Sequence, residues 1–60
     1  MRVGDLALSA ISGEVVMIVD RNIVLLDSSG PMTFDFEIWT PDGSYLYVDS
    51  DDLEKINHAN

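Results

Sequence analysis

Residues 34 to 49 constrain the fold of this chain more than any other stretch. Phe34-Asp35-Phe36-Glu37-Ile38-Trp39-Thr40 alternates apolar and polar side chains almost without a break. Ser44-Tyr45-Leu46-Tyr47-Val48-Asp49 resumes the alternation after Pro41-Asp42-Gly43. A period of two is the signature of a strand with two unlike faces. Proline suits the first central position of a type I turn, and glycine suits the left-handed position that closes it. The loop Pro41–Gly43 then sets Thr40 opposite Ser44. Counting outwards pairs Trp39 with Tyr45, Ile38 with Leu46, Glu37 with Tyr47, Phe36 with Val48 and Asp35 with Asp49. In this register Phe36, Ile38, Leu46 and Val48 share one face, and Trp39, Tyr45, Tyr47 and Glu37 share the other. A slip of one residue would mix the two sets. The first set is the expected core, and the second an exposed aromatic face.

The rest of the chain also reads as short strands between turn residues. Asp5 to Ser9 is the expected first strand, with Leu6 and Leu8 on one side and Val3 packing nearby. A second strand runs from near Glu14 to Asp20 and is apolar on both faces: Val15, Met17 and Val19 against Val16 and Ile18. Such a strand is central, strongly bent or covered by another chain. Asp20-Arg21-Asn22 reads as a turn or bulge, after which Ile23 to Leu26 extends the strand signal. Asp27 to Pro31 has loop composition. Near the end, Ser50 or Asp51 can cap a helical turn, and Asp51 with Glu54 has capping-box spacing. Leu53 and Ile56 lie on one face of that turn, with a final strand around Lys55 and Ile56 and a tail at residues 57–60. The expected architecture is one all-β domain over residues 1–60, a five-stranded barrel plugged by a short 3-10 or α turn near the C-terminus.

Length and charge limit what such a domain does. The chain has 60 residues and no cysteine, so neither a disulfide nor a thiolate metal site supports it. A domain of this size buries only about 60% of its unfolded surface and is marginally stable. Eleven acids against three bases give a net charge of −8. That balance disfavours phosphate backbones, so nucleic acid is not an expected partner. No apolar run approaches the ~20 residues of a membrane-spanning helix. The start of the chain, with Asp5 where a signal peptide needs an apolar run, points to an unprocessed cytoplasmic protein.

Catalysis finds no support in the residue types. The single histidine, His58, falls in the tail, and Gly4, Gly13, Gly30 and Gly43 are scattered turn glycines that form no phosphate loop. The acids at 49, 51, 52 and 54 lack the glycine and terminal acid of a calcium loop. No enzyme activity, cofactor or metal is expected. Trp39, Tyr45 and Tyr47 are the candidate binding residues, because aromatic side chains on an open strand face supply anchoring area. Glu37 and Asp35 lie beside them and suit a basic protein partner. Stabilisation of the hairpin by cross-strand pairs accounts for the same rings without any partner. The two-sided apolar strand offers an alternative role, a structural or accessory subunit that self-associates into a homo-oligomer.

Val3-Gly4-Asp5-Leu6, Gly13 before the Val15-to-Asp20 strand, Phe36-Glu37-Ile38-Trp39, Asp42-Gly43, Tyr47-Val48 and Asp52-Leu53-Glu54-Lys55-Ile56 together resemble a known layout. It is that of the small SH3-like barrel proteins of tailed phages, especially marine and cyanobacterial ones. The resemblance spans most of residues 3 to 56 and rests on short structural motifs. It implies an SH3-like fold, a viral origin and residence in the host cytoplasm, and it implies no activity. Ala7 and Tyr47 depart from the pattern, which has valine and tryptophan at those places, and residues 21–32 match nothing in it.

Overall fold

A computed structural model describes residues 1–56. Five strands form one antiparallel sheet: β1 (Leu6–Ser9), β2 (Val15–Asp27), β3 (Gly30–Trp39), β4 (Tyr45–Val48) and β5 (Leu53–Lys55). A 3-10 turn at Ser50–Asp52 precedes β5. The order across the sheet is β4-β3-β2-β1-β5. The sheet is not closed into a barrel.

The β3–β4 hairpin has the register that its alternation requires: Trp39 opposite Tyr45, Ile38 opposite Leu46, Glu37 opposite Tyr47 and Phe36 opposite Val48. Thr40 N–H donates to the Ser44 carbonyl at 2.9 Å, and Gly43 N–H donates back to the Thr40 carbonyl at 2.9 Å. Gly43 has φ +89°, the left-handed conformation that returns the chain to the strand direction. The Asp42 carboxylate braces the turn by accepting from the Thr40 hydroxyl and, at 3.0 Å, from Ser44 N–H.

β2 is central and bent. The pairing of Ile18 with Ile38 shifts to Asp20 with Glu37, so Val19 is an extra residue in the strand. Such a bulge kinks the strand and reverses its side-chain parity. Val16 and Ile18 therefore face the core before Val19, whereas Arg21, Ile23 and Leu25 continue that face after it. Asn22 adopts φ +53°, and asparagine is among the few residues that reach this region at low cost. The loop expected at 27–31 is much tighter. Asp27 pairs with Gly30 across Ser28 and Ser29, and the Asp27 carboxylate accepts from Ser29 N–H at 2.8 Å and from the Ser29 hydroxyl at 2.7 Å.

The core consists of Ala7, Val16, Ile18, Ile38, Val48 and Leu53, with Phe36 packed against it. Fully burying a large aliphatic side chain is worth about 1.5–3 kcal/mol, and Ile18, Ile38 and Val16 are the largest side chains that are completely buried.

Three sequence expectations are corrected here. Leu6 is exposed and so is Val3, while Ala7 and Ser9 are the buried residues of β1. The ladder to β2 sets that parity, because Ala7 lies opposite Val16 and Leu6 opposite Met17. Leu46 is 49% exposed although it shares the core side. β4 is an edge strand, and an open sheet lays nothing over it. The turn near the C-terminus begins one residue before Ser50 and two before the Asp51–Glu54 capping box that the sequence suggests. Asp49 is the N-cap, with its N–H donating to Asp52 Oδ2 at 3.1 Å, and Leu53 opens β5. The expected tail at 57–60, with His58, lies outside the described residues.

Candidate functional site

The outer side of the sheet carries an apolar row that crosses four strands. Leu6 of β1 pairs with Met17 of β2, Met17 with Trp39 of β3, and Trp39 with Tyr45 of β4. All four are open to solvent, at 46%, 38%, 37% and 61% exposure. Directly opposite cross-strand neighbours lie about 4.5–5.5 Å apart at Cβ. The four side chains are thus one continuous stripe, and Val15, also exposed, extends it along β2.

The next row along the sheet is acidic. Asp20 of β2 pairs with Glu37 of β3, and Glu37 with Tyr47 of β4. Like charges directly opposite each other destabilise a sheet. Asp20 and Glu37 meet in this arrangement one step from the stripe, and Asp20 Oδ1 also accepts from Arg21 N–H at 2.8 Å.

Of the residues singled out in the sequence, Trp39, Tyr45 and Tyr47 are exposed on β3 and β4, and Glu37 is half-buried between them. Trp39 and Tyr45 are brought together as neighbours. Tyr47 is drawn away and stacks on Phe34, with ring centroids 5.6 Å apart and planes at 23°. Phe34 lies beyond the end of β4, since the β3–β4 pairing stops at Phe36 and Val48. There the simple two-face description of the hairpin fails. Asp35 is not paired with Asp49 in the sheet, because the β3–β4 pairing ends at Phe36 and Val48. Its Oδ2 accepts from Ser50 N–H at 2.7 Å and pins the 3-10 turn to β3. That backbone hydrogen bond, then the Ser50 hydroxyl, hold the Asp35 carboxyl below its ordinary pKa. The Thr40 hydroxyl and Ser44 do the same for Asp42.

Leu6 and Met17 are the members of the stripe that sequence reasoning missed. Met17 sits on a strand apolar on both faces, so alternation alone leaves its side undecided. The partner positions of β1 and β2 carry the information, and no turn signal counts them off.

The inner side holds a shallow groove of about 200 Å³ between the β1–β2 loop and the β3–β4 turn. Ile11, Ile38, Thr40, Leu46 and Val48 are among the residues that line it. Ser9 organises the loop side: its Oγ accepts from Ile11 N–H at 3.3 Å and Ser12 N–H at 3.2 Å. Among the described residues no helix is long and apolar enough to cross a membrane.

Comparison with protein-family models, with curated proteins and with solved structures gave no match.

Proposed function

We propose that this protein is a non-enzymatic binding domain of the SH3-like type, and that it holds a protein partner with a basic segment on the outer face of its sheet. The observation that carries this reading is the pairing of the two rows. The stripe Leu6–Met17–Trp39–Tyr45 supplies apolar area, and Asp20 with Glu37 supplies negative charge beside it. Two carboxylates held opposite each other are relieved when a lysine or arginine of a partner settles between them. The aromatic groups then carry most of the affinity, and the acids mainly raise the association rate.

The SH3-like part of the proposal is supported by the bent β2, which pairs with β1 at one end and with β3 along its length, and by the 3-10 turn directly before β5. A phage-encoded protein of the host cytoplasm, as the sequence resemblance implies, fits a chain of this size. Nucleic acid and membranes are not partners in this reading, because the −8 charge opposes phosphates and anionic headgroups alike.

The test compares two baits. Proteins from source cells are captured on the parent chain and on Trp39→Ala. A protein held by the parent and lost from folded Trp39→Ala supports the proposal. Identical capture by both removes it. Glu37→Gln gives a second reading: binding slows, and the slowing fades as salt rises.

A further inference from the structure

Among the described residues, the far end of the β2–β3 hairpin has no other strand beside it. β1 pairs with β2 only as far as Met17, and β4 pairs with β3 only as far as Phe36. Beyond them, residues 23–26 and 31–34 form a two-stranded arm in a molecule whose extents are 46, 22 and 17 Å. An isolated two-stranded ribbon is marginally stable at best in water. This one is also apolar on both faces. Ile23 and Leu25 share a side with Phe34 and Met32, and Val24 and Leu26 lie on the other side. Val24 is 61% and Leu26 81% exposed. Of the eleven acids only Asp27 lies between Asn22 and Phe34, so the arm is the least charged part of a chain with net charge −8.

The two outer edges of the arm are not equivalent. The β3 edge contains Pro31, which has no N–H to donate to a further strand. The β2 edge, Ile23-Val24-Leu25-Leu26, has neither proline nor charge, the features that usually keep an edge strand from pairing. It is bounded by Arg21 at one end and Asp27 at the other.

We infer that this edge pairs with the same edge of a second copy of the chain, joining two arms into a four-stranded antiparallel ribbon. A twofold axis through Val24 sets Ile23 opposite Leu25, and sets Arg21 opposite Asp27 of the other copy, twice by symmetry. A second copy otherwise meets like charge. Here it meets an uncharged strand with a complementary ion at each end. The dimer leaves the Leu6–Met17–Trp39–Tyr45 stripe free and does not depend on the function proposed above.

The test is the mass of the full chain in solution, by sedimentation or light scattering across a concentration series. The parent is expected to reach twice the 6.6 kDa chain mass. Val24→Lys and Leu26→Lys are expected to stay folded, since both side chains are exposed, and to remain monomeric. Arg21→Asp and Asp27→Arg should each weaken the dimer several-fold, and the double exchange should restore it. Asp27 also braces its own turn, so if Asp27→Arg does not fold, Val24→Lys and Leu26→Lys decide the matter. A parent that stays monomeric at every concentration overturns the inference. So does a dimer that survives Val24→Lys and is lost in Tyr45→Lys, because it would then use the outer stripe.

Discussion

Ile38 and Leu46 are opposite each other on β3 and β4, yet one is sealed and the other half open. Truncating them should therefore cost unequal amounts. Ile38→Ala removes a fully buried side chain and should cost about 2–5 kcal/mol, enough to unfold a domain of this size. Leu46→Ala should cost far less and leave the protein folded. Equal midpoints in chemical denaturation would show that the inner side is more closed than described. Gly43 gives a second contrast, because its φ of +89° resists a β-branched side chain. Gly43→Val should destabilise more than Ser44→Val. Glu37 differs again: it pays for its place opposite Asp20. Glu37→Gln should raise the stability of the free protein by roughly 0.2–1 kcal/mol while weakening partner binding, a split expected of a residue kept for recognition. A fall in both would assign Glu37 to the scaffold.

Three carboxylates act at the scale of elements: Asp27 at the β2–β3 turn, Asp42 at the β3–β4 turn and Asp35 under the 3-10 turn. All three have lowered pKa values, caused first by Ser29, Thr40 and Ser50 respectively. A carboxylate with a depressed folded pKa stabilises the fold fully above its unfolded value of about 3.9. That contribution is lost as pH falls through the lower folded value. A variant that has lost such a bond therefore starts less stable near neutral pH and loses less stability as pH falls below about 4. Asp42→Asn should flatten the acid limb of stability against pH, and an unchanged slope would deny the turn its brace.

These elements were unequally legible in the sequence. The β3–β4 register follows from strict alternation on both sides of one proline–glycine turn, and every pair of β3 with β4 obeys it. β1 is only four residues long and β2 is apolar on both faces from Val15 to Val19, so neither announces its inward side. The pairing of Leu6 with Leu8 on one side therefore does not say which side is inward, and the alternation leaves Met17 without a side. Val19 compounds the difficulty, because a bulge changes parity without changing composition. Setting Asp35 against Asp49 extends the ladder one step past its end at Phe36 and Val48, where Ser50 N–H instead donates to the Asp35 carboxylate.

At the scale of the whole molecule, the chain divides its surface by chemistry. The sheet carries an apolar stripe flanked by acids on its outer side, and the arm beyond it is nearly uncharged. The −8 charge predicts that single- or double-stranded nucleic acid is not bound at physiological salt, and fluorescence anisotropy with mixed DNA and RNA checks this. Micromolar binding there would redirect the proposed function toward base stacking on the outer stripe. The central claim, that this stripe is where a protein partner sits, is tested most directly through Trp39, the single tryptophan. The measurement is the affinity of a captured partner for the parent chain and for folded Trp39→Ala, with Trp39 emission followed during the parent's titration. The account predicts a saturable blue shift as the ring leaves water, and a loss of about 2 kcal/mol or more in the variant. Equal affinities, with Trp39 emission unmoved at saturation, would contradict it.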